Sequence, residues 1–201
     1  MGTVKPRVDV REAALVEARA IIEESGLEAL SLREVARRLG ISHQAPYKHY
    51  PSRDHLLAEV IARCYADFAA YLDDSTKGEM PPDALRNMGR AYMRYALESP
   101  LSYRLMFGAQ MPDPAQHPEM LAKAQHAFQL LRSALEALPR PGRTASMLEA
   151  DAMFIWSTIH GLASILHTRA IDSLQLTDES VEALIDSTLN KIGMALGLQP
   201  S

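Results

Sequence analysis

Residues 40–54, GISHQAPYKHYPSRD, crowd Gln44, Tyr47, Lys48, His49 and Tyr50 around Pro46. A glutamine amide can make paired hydrogen bonds to an adenine edge, and a lysine can reach guanine or a phosphate. Gln44 and Lys48 are residues of those types, while Ala45 and Pro46 offer apolar contact to a thymine methyl. Tyr47 and His49 suit phosphate oxygens. A buried helix would carry aliphatic residues here, and a solvated one with no partner would have no use for the proline and two tyrosines. The residue types therefore point outward, to double-stranded nucleic acid. Tyr50 reads as core, holding this segment on the first helix, and His43 reads equally as a contact or as an ordinary first-turn residue.

Short capped helices are what must position these side chains. Ser42 is placed to cap a helix in which Pro46 is the fourth residue, at the edge of the first turn, where early amides lack intrahelical acceptors. The expected helix is about two turns long, with its positive end and its side chains to the front. Just upstream, SLRE at 31–34 is a capping box: Ser31 accepts from the Glu34 amide and the Glu34 carboxylate reaches back. That second helix buries Val35, Ala36 and Leu39 and stops at Gly40. Two short helices joined through LGIS make a helix-turn-helix. A first helix from about Asp9 to Glu24 and a fourth from Ser52 to about Asp73 enclose the pair. Ser31, Arg33 and Ser42 at helix starts, and Arg53 on the next helix, add phosphate contacts.

The formal net charge of −4 argues against a nucleic-acid partner only if charge is evenly spread. It is not: between Ser31 and Arg53 five basic residues stand against the single acid Glu34, so this island carries +4 and the remainder −8. Salt screens charges beyond about 10 Å, so a basic island on an acidic body still neutralises phosphates locally. Arg37 and Arg38 within it read equally as solvated residues.

The whole chain reads as all-α, with no period-two run of β-branched residues. Beyond the breaker-rich STKGEMPPD, Leu85, Met88, Tyr92 and Tyr95 share one helix face, LSYRLMFG is a short apolar piece, and Leu121 to Leu138 form a strong seam. A long helix from about Ala145 to Ala170 carries WSTIHG, and a last one carries Val181 to Leu196. Trp156 and His160, at i and i+4, are either lining of a small-molecule pocket, with Tyr92, Tyr95, Met106 and Phe107, or plain core with a satisfied polar group. Methionine and aromatic lining favours an apolar or aromatic ligand. The final helix has more apolar positions than one neighbour needs, and Gly161, Ala163 and Ser164 permit close approach in the penultimate one. Two such helices from each chain would make a four-helix homodimer interface of Ile159, Leu162, Leu166, Leu184, Ile185, Thr188, Leu189 and Ile192, the alternative being a purely intramolecular core.

The stretch LSLREVARRLGISHQAPYKHYPSRDHLLAEV resembles the DNA-binding head of the TetR family of bacterial transcriptional regulators. The family's Tyr-x-His-Phe/Tyr element, a following Lys or Arg and an apolar pair correspond to Tyr47, His49, Tyr50, Arg53, Leu56 and Leu57. Pro46 stands where an aliphatic residue is common, and Arg53 where lysine is more frequent. The resemblance covers residues 9–60, and WSTIHG resembles a Trp…His-Gly element of one subset of the family's C-terminal domains. It implies a helix-turn-helix domain at 1–53, a connecting helix at 54–75 and an effector-binding and dimerisation domain at 76–201. It further implies a one-component repressor that binds a palindromic operator as a dimer and is released by a small effector.

No G-x-G-x-x-G, G-x-S-x-G, P-loop or H-E-x-x-H is present, and no repeated E-x-x-H, so no enzyme, metal site or cofactor is expected. One cysteine, Cys64, and an N-terminus without an apolar run fit a cytoplasmic protein, and no stretch is long enough to span a membrane. The rival reading is a helical ligand-binding or scaffold protein with no DNA contact.

Overall fold

The structure, a computed structural model, describes residues 9–108, 110–168 and 175–198. Among them are eight α-helices and no strand. By packing, the chain divides into two compact units: Met1–Cys64 with Leu105–Ala122, and Tyr65–Arg104 with Lys123–Ser201.

In the first unit, α1 (Val10–Ser25) starts where the Asp9 carboxylate accepts from the amides of Arg11 and Glu12, and it buries Ala14, Leu15, Ala18, Ile21 and Ile22. A 3-10 turn at Leu27–Ala29 leads into α2 (Leu32–Leu39), whose Ser31 cap accepts from the Glu34 amide at 3.1 Å. The Glu34 carboxylate takes both Arg37 and Arg38, whose hydrogen bonds hold it down at a pKa of about 2. Gly40 closes α2 at φ 65°, a left-handed conformation that glycine adopts without a Cβ penalty.

The segment after Gly40 differs from the expected two-turn α-helix. The Ser42 hydroxyl does accept from the Gln44 amide, but residues 43–45 form a turn and Pro46–Lys48 a single 3-10 turn. The proline explains this. Pro46 has no N–H for the Ser42 carbonyl, which is taken instead by Ala45 three residues on, the tighter 3-10 spacing. Tyr50 is buried beneath, and its hydroxyl donates to the Arg11 carbonyl at 3.0 Å. Next comes α3 (Arg53–Asp74), with Ser52 accepting from the His55 amide and with Leu56 and Leu57 fully buried. Arg11–Glu59 and Arg63–Glu12 pairs tie α1 to the start of α3. Residues 105–122 return to this unit, where Gln110 donates to Glu28 and the His55 and His117 rings meet edge to face.

The second unit is built on α4 (Pro81–Glu98), α7 (Ala145–Leu166) and α8 (Asp178–Ala195), with α5 (Pro100–Phe107) and α6 (Pro118–Glu136) between α4 and α7 in the chain. Ala152, Ile155, Ile159 and Ala163 form the aliphatic stripe of α7, and Ile185, Leu189 and Ile192 that of α8. Gly89 lets α4 come close: a Cβ there would stand 2.5 Å from a Leu189 methyl. The expected end of α7 at Ala170 lies outside the described residues; the described helix stops at Leu166, capped by His167.

Candidate nucleic-acid interface and interior polar cluster

Gln44, Lys48 and His49 are exposed, as are His43 and Ser42, and Tyr47 keeps 43 % of its surface in solvent. Arg33 at the front of α2 joins His43, Gln44 and Tyr47 in lining one open recess. The consecutive turns at 43–48 thus present an amide, a phenol and an imidazole beside a guanidinium. That is the mix needed to read a base edge and grip the neighbouring phosphates. Ala45 is half-buried, and Ser31 has its oxygen engaged by the Glu34 amide while its hydroxyl proton can still be donated outward.

Two residues placed on this face by sequence do other work. Pro46 is less than 2 % exposed, so it anchors the turn in the head's core and cannot touch a thymine methyl. Its ring points inward because the 3-10 turn rotates it away from the side chains on either side of it. Arg53 is half-buried, and its guanidinium donates to the carbonyls of Leu30 (3.0 Å) and Leu27 (2.8 Å), with Asp54 at 3.6 Å. It pins the start of α3 to the turn before α2. Arg38 is likewise held by Glu17, Glu24 and Glu34, and Arg37 by Glu34.

The second unit carries an interior polar cluster. On α7 and its cap, Trp156, His160, Ser164 and His167 follow at i, i+4, i+8 and i+11, one stripe, all half-buried. Beneath them Tyr92 from α4 and Tyr103 from α5 are buried, their hydroxyls 2.9 and 2.8 Å from His160 Nδ1. His160 Nδ1 thus faces both hydroxyls, and its Nε2 lies 3.4 Å from Ser164 Oγ. Tyr103 stacks on the His167 ring, whose nitrogens lie 2.7 and 3.0 Å from the carbonyls of Ala163 and Ala96. The Ala96 carbonyl lacks its helical donor because Pro100, four residues on, has no N–H. Trp156 lies edge to face with Phe128 of α6, and Phe68 with Tyr92. Burial pushes the pKa values of both tyrosines up and that of His160 down, so all three are held neutral.

Comparison with known proteins agrees with both regions. Residues 14–60 match the domain family "Bacterial regulatory proteins, tetR family", and residues 85–188 match "Tetracyclin repressor-like, C-terminal domain". The chain belongs to the TetR family of transcriptional regulators. The HTH-type transcriptional regulator Rv1816 of Mycobacterium tuberculosis is 32% identical over 126 residues, 59% of this chain and 54% of the relative. The chain thus spans about half the length of the first curated relatives it matches. Rv0681 of the same organism, an uncharacterized HTH-type regulator, is 26% identical over 86% of this chain and 77% of its own. Among solved structures, a protein of unknown function from Rhodococcus sp. RHA1 shares the fold with TM-score 0.75 at 23% identity, over 94% of this chain and 98% of that one. The TetR family regulator PfmR from Thermus thermophilus shares it at TM-score 0.61 and 22% identity, over 88% and 97%. The curated relatives and PfmR are named as transcriptional regulators.

The residues expected in the effector pocket of this TetR-family chain divide. Tyr92, Trp156 and His160 come together, while Tyr95 is buried with its ring against Phe68 and Tyr71. Met106 and Phe107 belong to the first unit. Sequence reasoning missed Tyr103, Ser164 and His167, although α7 carries a signal for two of them: polar residues recur along one stripe of an otherwise apolar helix. The expected dimer residues divide too. Ile159, Ile185, Leu189 and Ile192 are buried within the chain and cannot form an outer face. Leu184 is 40 % exposed, and Leu162, Leu166 and Thr188 are half-buried. The exposed large apolar side chains of α7 and α8 are instead Met147, Met153, Phe154, Ile165, Leu184 and Met194. Among the described residues no three His, Cys, Asp or Glu side chains converge as metal ligands, and no helix is long and apolar enough to cross a membrane.

Proposed function

We propose that this TetR-family chain is a cytoplasmic one-component repressor that binds a palindromic operator as a homodimer and releases it on binding a small molecule in the second unit. The observation that carries the DNA reading is the outward display of Gln44, Tyr47 and Lys48 from a turn whose proline is buried. In this reading Gln44 addresses a base edge and Lys48 a neighbouring phosphate. Arg33, Ser31, Ser42, His43, Tyr47 and His49 grip the backbone, with Ala45 against a methyl group. Two copies read half-sites about 34–36 Å apart, or a multiple of that. The exposed side chains Phe154, Ile165, Leu184 and Met194 support a dimer face on α7 and α8. The stripe Trp156–His160–Ser164, with Tyr92 and Tyr103, is the effector site. An effector acts only through unequal affinity for the DNA-bound and released states.

The test is a salt titration of duplex binding by fluorescence anisotropy. Tyr47→Phe and Lys48→Ala should weaken binding, the lysine change nearly equally for all sequences. Binding that neither substitution alters would overturn the assignment of this face. Absence of salt-sensitive retention on DNA would favour the scaffold reading instead.

A further inference from the structure

The chemistry of the interior cluster narrows what kind of molecule the second unit can hold. Its polar centre is two phenol hydroxyls within 3 Å of one imidazole nitrogen, and Trp156, Phe128 and Ser164 beside it are half-buried. Resting on the effector reading above, we propose that this site takes an uncharged, largely apolar molecule bearing one hydrogen-bonding oxygen, such as an ester, a ketone or a phenol, and discriminates against the matching carboxylate.

Three observations carry this. First, the polar groups are hydroxyls and a neutral imidazole gathered at one point, so a ligand oxygen meets donors and an acceptor there and aromatic rings elsewhere. Second, the groups that meet His160 and Tyr103 at hydrogen-bond distance include each other, Ser164 Oγ and a backbone carbonyl, all of them uncharged. Third, the surroundings already penalise charge of either sign, since burial leads among the causes that raise Tyr92 and Tyr103 and lower His160. An ionised carboxylate entering beside the two phenols and the His160 imidazole loses its hydration, which costs far more than burying a neutral oxygen that keeps its hydrogen bond. The hydroxyls already bond within the cluster, so a ligand oxygen has to join or replace those bonds, and a group with both acceptor and apolar character does so at least cost.

Trp156 is the chain's one tryptophan and lies 5.8 Å, ring to ring, from His160, so its fluorescence reports on this site. The experiment titrates the full-length protein at pH 7.5 with methyl benzoate, methyl phenylacetate and methyl decanoate, and with the three corresponding carboxylates. It follows Trp156 quenching and release of bound duplex together. At least one ester should saturate the signal with an affinity about 10-fold or more above its carboxylate. Tyr103→Phe should weaken that ester by about 3- to 10-fold while leaving the thermal midpoint close to the parent's. His160→Gln, which keeps a hydrogen-bonding side chain, should retain the preference for ester over acid. Carboxylates that bind as tightly as the esters, with loss on Tyr103→Phe, would overturn the ligand class and leave the effector site standing. Absence of saturable quenching by every pair would overturn both.

Discussion

The two units put their polarity in opposite places. In the first, polar side chains face out from the turn at 42–49, and the framework behind them is Pro46, Tyr50, Leu56 and Leu57, all buried. In the second, the polar stripe of α7 faces in toward Tyr92 and Tyr103, while Phe154, Ile165, Leu184 and Met194 face out. Under the proposed function, the difference follows from what each unit meets. A phosphate backbone is large, charged and solvated, so it is met by exposed amides, imidazoles and cations on a rigid support. A small molecule is met by a few neutral polar groups in an aromatic lining, and a second copy of the chain by apolar surface.

The contrast between inner and outer apolar residues predicts the largest effect. Ile185→Asp places a charge in the interior of the second unit and should cost about 3–5 kcal/mol, read as loss of cooperative thermal unfolding. Leu184→Asp, one residue earlier and 40 % exposed, should leave helicity intact and shift the sedimentation profile toward monomer. Equal damage from both would erase the distinction between the two sides of α8.

On the outward face of the first unit, Gln44→Ala should cost about 1–3 kcal/mol of discrimination at one base pair, seen in competition between operator variants. Lys48→Ala should instead lower the salt-dependence slope by about one. Smaller again is Arg53→Ala, which removes donors to the Leu27 and Leu30 carbonyls. It should lower stability by about 1–2 kcal/mol in urea denaturation without changing the salt slope of DNA binding. A changed slope would return Arg53 to the phosphate contacts.

The smallest effect concerns pH. Burial lowers the folded pKa of His160 below its ordinary value near 6.5, so the unfolded chain takes up this proton first as pH falls. This contribution is neutral above that value, and stability is lost as pH drops from it toward the lower folded pKa. Urea midpoints measured from pH 7.5 to 5 should therefore fall less steeply in His160→Gln than in the parent.

Much of this arrangement was legible in the residues, and the illegible parts share a cause. Caps and stops are local, so Ser31, Gly40 and Ser52 could be read directly, as could the outward Gln44, Tyr47 and Lys48 and the inward Tyr50. The direction of Pro46 was not legible, because it depends on the proline converting an expected α-turn to a 3-10 turn, which rotates each side chain beyond it. Periodicity showed that α7 and α8 are apolar on more than one side, but not which side meets the chain's own core. The more aliphatic stripe, with Ile159, Ile185 and Leu189, is the inner one. Tyr103 was hidden because its partners, His160 and His167, are more than fifty residues away in sequence and meet it only through packing.

The central claim is that the turn around Pro46 addresses duplex DNA, and selection of bound sites from random duplexes by the purified protein tests it most directly. The expected result is a two-fold symmetric consensus whose enrichment degrades at one base pair per half-site when Gln44 is replaced by alanine. Recovery of no enriched sequence, or of a consensus indifferent to Gln44, Tyr47 and Lys48 alike, would contradict it.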